Sequence, residues 1–174
     1  RLYEIVDVGG QRSERKKWLH CFDNVNAIIF LEGLAGYKQV LFEDSATNRM
    51  KESLSLFGEI VRNPIFKKTP IFVFLNKKDL FEEMIPNHPL CKCFPDYDGP
   101  DGEVTPALEY ISNRYKAIME KHCPGKEVHI QIIAARVRMD MKIAFGEVKD
   151  QLKSLEPNKG KAKGRGIKGS RAGT

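Results

Sequence analysis

No stretch of this 174-residue chain stays apolar for the roughly 18 residues that a membrane-spanning helix needs, which excludes a helical span. Its four cysteines, Cys21, Cys91, Cys93 and Cys123, form no CxxC pair and no framework of a secreted disulfide domain, so reduced thiols are expected. His88, Cys91 and Cys93 share one loop but match no standard zinc spacing. Nowhere does the sequence contain GxxxxGK[ST], the loop whose backbone N–H groups and lysine cradle phosphates. Acid is missing from residues 157–174, which carry Lys159, Lys161, Lys163, Arg165, Lys168 and Arg171. Those six match the whole net charge of +6, so residues 1–156 are neutral and offer no basic face for a phosphate backbone. No specific nucleic-acid binding is therefore expected. The first residue is Arg1 rather than Met, no signal peptide or lipidation motif precedes it, and residues 2–8 already read as a strand. A truncated N-terminus is the expectation.

What remains is the composition of one globular domain, 41% apolar, long enough to bury a single core. Strands are predicted at 2–8, 26–32, 70–75 and 128–134. The first three are nearly continuous apolar runs, as in parallel strands buried on both faces. The fourth alternates, and His129 and Gln131 suggest a wetter face. Helical spacing is found at 12–22 (Trp18 and Phe22) and at 48–62 (Met50, Leu54, Phe57, Val61), with Ser45 and Thr47 as possible caps. A third helix is predicted over 106–121 (Ala107, Tyr110, Ile111, Tyr115, Ile118), opened by Pro106 behind Thr105. A fourth spans 140–155 (Ile143, Ala144, Val148, Leu152, Leu155) and ends at Pro157. Strands alternating with helices predict an α/β domain with a mostly parallel sheet. Residues 86–104, rich in Pro, Gly and Asp, read as a long surface loop. Residues 157–174 read as a disordered, basic, Gly-rich tail.

Two motifs sit at predicted strand ends, where open α/β sheets bind ligands. In Asp7-Val8-Gly9-Gly10-Gln11, an aspartate can hold Mg²⁺ through its water shell. Gly10 lets a backbone N–H approach a terminal phosphate, and the Gln11 amide can orient an attacking water. By itself this segment is equally well a strand followed by a Gly-Gly turn. The second motif, Asn76-Lys77-Lys78-Asp79, is sharper. Guanine presents N1–H and an amino group side by side, and one carboxylate accepts both. Adenine would leave that carboxylate unpaired, a mismatch that can cost a factor of about 10⁴. Asn76 can tie neighbouring loops together, and the aliphatic stem of Lys77 can cover the base plane.

With these motifs, DVGGQRSERKKWLHCF (7–22), EDSATNRMKESLSLF (43–57), FVFLNKKDLFEE (72–83) and CFPDYDGP (93–100) resemble the α subunit of heterotrimeric G proteins, over residues 1 to about 156. Small GTPases of the ADP-ribosylation-factor type share DVGGQ but lack RSERKKWLHCF. The stretch 134–156 is also loosely similar to plant extra-large Gα proteins. The resemblance implies a P-loop NTPase, Ras-like fold with helices on both faces of the sheet, present here as a partial GTPase domain (1–156). The P-loop, the Mg²⁺-binding Thr, the Arg finger and the inserted helical domain are not in the sequence.

The same resemblance implies a GTP-dependent switch in transmembrane-receptor signalling, with GTP/GDP and Mg²⁺ as ligands. Asp7 would lie in the second shell of the Mg²⁺, Gly10 would sense the γ-phosphate, and Gln11 would be the catalytic, water-positioning residue. Val8 and Gly9 would complete that turn, Asn76, Lys77, Lys78 and Asp79 would select guanine, and the Ala135 N–H would meet the guanine oxygen. Arg15, Lys17, Trp18, His20 and Cys21 would face the βγ dimer. A receptor and an effector would be further partners, at the cytoplasmic face of the plasma membrane or in the cytoplasm. The basic tail could add peripheral membrane attraction of about 1 kcal/mol per residue.

The third guanine loop of the family, Thr-Cys-Ala-Thr, is Ile133-Ala134-Ala135-Arg136 here, and the receptor-reading C-terminal segment is replaced. A partner-binding scaffold with weak or no GTPase activity is therefore the alternative. Because the family's strand before the P-loop is central, the isolated chain is expected to fold poorly, which a sharp cooperative melt would refute.

Overall fold

In a computed structural model, residues 3–22 and 25–155 are described, with the side chains at 19 and 20 excepted. The predicted basic tail, Pro157 and the His20 side chain lie outside the described residues.

Three strands form one parallel sheet in the order β1 (Ile28–Gly33), β2 (Ile71–Asn76), β3 (Val128–Ile132). β1 pairs with β2 from Ile28↔Ile71 to Gly33↔Asn76, and β2 with β3 from Ile71↔Val128 to Leu75↔Ile132. Central β2 is buried on both faces from Ile71 to Leu75, which is why IFVFL shows no alternation. Four α-helices accompany the sheet: α1 (Arg49–Arg62), α2 (Lys78–Met84), α3 (Val104–His122) and α4 (Arg138–Ser154).

The two faces are filled by opposite strand parities. Phe30, Ile71, Val73 and Leu75 pack with Leu54, Phe57 and Val61 of α1, Phe81 of α2, and Ile111, Tyr115 and Met119 of α3. Phe57 sits edge-on to both Phe30 and Tyr115, with ring centroids 5.2 and 5.1 Å away. Burying such a side chain contributes about 2–3 kcal/mol. Phe72, Phe74 and Ile133 face the other way and meet Ala144 and Val148 of α4. Helices on both faces of a mostly parallel sheet are thus what the structure shows.

One charged group lies inside the larger core. Glu32 of β1 is 4% exposed and accepts a hydrogen bond from Tyr115 Oη at 3.1 Å. Its other oxygen comes so near Gly36 that a methyl there would lie 3.2 Å from it.

Several expectations are corrected. Residues 3–8 form no strand: Ile5 and Val6 are exposed, and the outer edge of β1 is unpaired among the described residues. Apolar composition alone is not enough: residues 3–8 run as an exposed, irregular segment and leave the β1 edge unpaired. The 12–22 segment is a 3₁₀ helix over Arg15–Cys21, with Trp18 and Phe22 half-buried.

The cap of α1 is Asn48, whose Oδ1 accepts from the N–H groups of Met50 and Lys51, both at 3.0 Å; the Thr47 hydroxyl instead donates to Asp44. Helix α3 opens at Val104, two residues before Pro106. The loop 86–104 is not merely surface: Leu90, Cys93, Phe94 and Tyr97 enter the core, and Arg114 clamps it through Asp96 at 2.9 Å while lying over the Phe94 ring. On α4, Ile143 and Leu155 are exposed, because the stripe that faces the sheet is Met141, Ala144, Phe145, Val148 and Leu152. The polar side chains of β3 are not on a wet face either. His129 Nδ1 lies 3.1 Å from Glu147 Oε1, and Gln131 Nε2 donates to Oε2, so both lean on one carboxylate of α4.

Candidate functional site

Asn76 ends β2 and Ala135 follows β3, so the parallel sheet delivers both to its carboxyl end. Main-chain bonds lock the two loops together: Ile133 N–H donates to Leu75 O at 2.9 Å and Lys78 N–H to Ile133 O at 3.1 Å. Asn76 Oδ1 accepts the Ala135 N–H at 2.9 Å, so its side chain is the tie between the loops. On the other flank, Asp140 Oδ2 accepts the Ala134 N–H at 2.8 Å. Asp140 was not singled out from sequence; its signal was an acid in the first turn of α4.

Lys77 is the one non-glycine residue with positive φ among those described (φ 64°, ψ 37°). A left-handed lysine costs of order 1 kcal/mol and persists only where its surroundings demand it. Here it caps α2 and turns the chain so that Asp79 falls in the helix's first turn. Its aliphatic stem passes the end of β1, with Cδ 3.9 Å from where a side chain on Gly33 would begin. The Asp79 carboxylate is only partly exposed and accepts from Arg136 Nε. That guanidinium first, then the N–H of Leu80, holds its carboxyl below the usual carboxylate range. Lys78 contributes its main chain to the loop contact, while its ammonium reaches Glu82 at 3.5 Å.

Asp7, Val8, Gly9, Gly10 and Gln11 lie in the exposed, irregular segment that leads to the 3₁₀ helix. The stretch that follows it is held to the first turn of α1. Arg12 donates to Glu52 at 3.0 and 2.8 Å and to Asp44 at 3.3 Å. Arg15 donates to Glu52 at 2.9 Å and to Gly10 O at 3.3 Å. Trp18 Nε1 donates to Gly9 O at 2.8 Å, so the half-buried indole folds back on the turn. Glu14 packs against Gly9 so closely that a methyl there would collide with its carboxylate. Of the predicted partner-facing residues, Arg15 is thus turned inward to Glu52, Lys17 is exposed beside Glu14, and Cys21 is half-buried.

Glu52 was also missed from sequence, since a carboxylate on the polar side of an amphipathic helix looks like simple solvation. Arg12, then Arg15, lowers its pKa to about 2. A depressed carboxyl contributes fully above its unfolded value near 4.5, and the contribution fades as pH falls through 2. Glu52→Ala is expected to raise hydrogen exchange at the Glu14 and Lys17 amides about fivefold, the factor a partly exposed ion pair supports. Unchanged protection would show that the two arginines are not what anchors the segment.

The described residues do not complete a Mg²⁺ site. No group of three or more His, Cys, Asp or Glu converges among them, and Asp7 is a lone carboxylate, whereas Mg²⁺ needs six oxygens. The guanine end fits better, since a carboxylate and a backbone N–H stand on two loops tied to each other.

A family model described as the G-protein alpha subunit matches residues 1–152. Among curated relatives, the guanine nucleotide-binding protein alpha-8 subunit of Dictyostelium discoideum is 54% identical over 157 residues, covering 90% of this chain and 38% of that protein. The alpha-16 subunit of Caenorhabditis elegans is 46% identical over 153 residues, covering 86% and 42%. The G(o) subunit alpha of Locusta migratoria is 47% identical over 148 residues, covering 85% and 41%. The chain thus spans about two-fifths of the length of these relatives.

Proposed function

Because this chain belongs to the G-protein alpha subunit family, we propose that it is the guanine-reading part of a GTP-dependent molecular switch, acting in receptor signalling when joined to the rest of such a protein. One observation carries this reading: the turn after β2 and the turn after β3 place Asp79 and the Ala135 N–H on a single locked platform at the ligand-binding end of the sheet. The carboxylate would accept the N1–H and amino group of guanine, and the N–H would be offered to its oxygen once Asn76 releases it. Lys77, fixed by its left-handed backbone, would lay its stem along the base. GTP hydrolysis would draw on Gln11 to orient water, with the phosphate-binding groups coming from outside these 174 residues.

The segment Asp7–Phe22 is suited to switching because, apart from Phe22 edge-on to Phe66, it is held chiefly by ion pairs and one indole hydrogen bond. In one state Arg15 lies on Glu52; in the other it, with Lys17, Trp18, His20 and Cys21, would meet a βγ-like partner. Receptor, effector and membrane attachment follow only from the family. The alternative, a partner-binding scaffold that turns nucleotide over poorly, is favoured by one observation: Arg136 already occupies Asp79. The two are separated by nucleotide exchange, measured in the protein at the length of its relatives. A switch binds guanine over adenine nucleotides and loses that preference with Asp79→Asn. A scaffold binds neither.

A further inference from the structure

We propose that Arg136 is a built-in competitor for the base, occupying the Asp79 carboxylate in the empty chain so that guanine must displace it to bind. This rests on reading Asp79 as the guanine-selecting carboxylate. Guanine would offer Asp79 two parallel N–H donors, N1–H and one hydrogen of its amino group. An arginine guanidinium offers the same arrangement, Nε–H and a neighbouring Nη–H in one plane, spaced for a carboxylate. Arg136 stands next to Ala135, on the loop already tied to the Asp79 turn, and its Nε donates to Asp79 Oδ2. The side chain thus enters the site from the loop that would flank the base, with the donor chemistry of the base itself.

A clamp for the loop is not what this contact provides. Residues 133–137 are already fixed by Leu75 O and Asn76 Oδ1 on one side, by Asp140 on the other, and by the Lys78 N–H. The Arg136 side chain is 73% exposed, so it can swing away with little loss of packing. Its contact is a single ion pair in water-accessible surroundings, which sets the strength of competition at about two- to fivefold in affinity. Asn76 acts alongside it, since its Oδ1 occupies the Ala135 N–H. Both groups that would read guanine are therefore satisfied from within in this conformation.

The test is a titration of the nucleotide-free protein, at the length of its relatives, with guanosine, which carries no phosphate and no charge, following the amide signals of Ala135 and Leu80 by NMR. Arg136→Ala is expected to bind guanosine about two- to fivefold more tightly than the wild type at low salt. Raising the salt screens the Arg136–Asp79 pair, so wild-type affinity should climb toward that of Arg136→Ala, whose own affinity stays flat. A steric role for Arg136 would give no such convergence. Equal guanosine affinity in the two proteins at low salt overturns the competitor. If neither protein responds to guanosine, and Asp79→Asn does not respond to xanthosine, the guanine reading itself falls and takes the competitor with it.

Discussion

Asp79→Asn is expected to reverse base preference from guanine to xanthine, by on the order of 10²–10⁴-fold, in the protein at the length of its relatives. Guanine presents two donors to this position and xanthine presents one donor and one carbonyl. A carboxylate accepts from both guanine donors, whereas an amide accepts with its oxygen and donates with its nitrogen. With Asn in place, guanine's amino group faces another amino group and each is left without a partner, the costliest way to mismatch a polar site. The exchange should leave the platform intact. Asp79 sits in the first turn of α2, and the loops are held by main-chain bonds and by Asn76, not by this carboxylate. Competition between GDP and XDP for displacement of a fluorescent nucleotide measures it. A variant that still prefers GDP would show that some other group reads the base.

Period and composition made the sheet and its covering helices legible, because β2 is apolar from Ile71 to Leu75 and α1 repeats its apolar side chains every three or four positions. The guanine motif was legible as chemistry, although α2, which starts inside it, was not. Seven residues beginning with a lysine and an aspartate carry no helical pattern, and the left-handed Lys77 that caps the helix is invisible to spacing. The failed strand at 3–8 has a different cause. A sequence shows which residues prefer to be extended but not whether they will join an edge, and 3–8 leave that of β1 unpaired. Long-range ion pairs were unreadable for a third reason: Arg12 and Glu52 stand forty positions apart, and each alone looks like a solvated charge. Arg136 belongs with them, fifty-seven residues from the aspartate it touches.

Glu32 should make the fold lose stability as the solution turns from acid to neutral. Burial raises this carboxyl to about 7, offset in part by hydrogen bonds with Ser53 and Tyr115 and by the charge of Arg49. A carboxyl raised on folding contributes fully below its unfolded value near 4.5, where both states hold the proton. The contribution then drains away as pH rises toward 7 and is gone above it. A displacement from 4.5 to about 7 amounts to about 3 kcal/mol. Glu52 runs the opposite way in a lower window, so the two can be told apart on one pH axis. Glu32→Gln keeps the shape and can still accept from Tyr115, but never ionises. At pH 8 it should melt roughly 6–12 °C above the wild type, and at pH 4 the two should nearly coincide. Urea midpoints taken across that range give the same comparison at constant temperature. A gap that does not widen with pH would mean that Glu32 is solvated in the folded chain.

The nearness of that carboxylate to Gly36 restricts how this part of the protein can drift. A methyl at position 36 would press on the Glu32 oxygen at 3.2 Å, so the acid and the bare α-carbon are partners in one volume. Substitution is then easier in one order: a lineage that first loses the acid opens room that a larger residue at 36 can fill. One that enlarges 36 first must pass through a crowded intermediate.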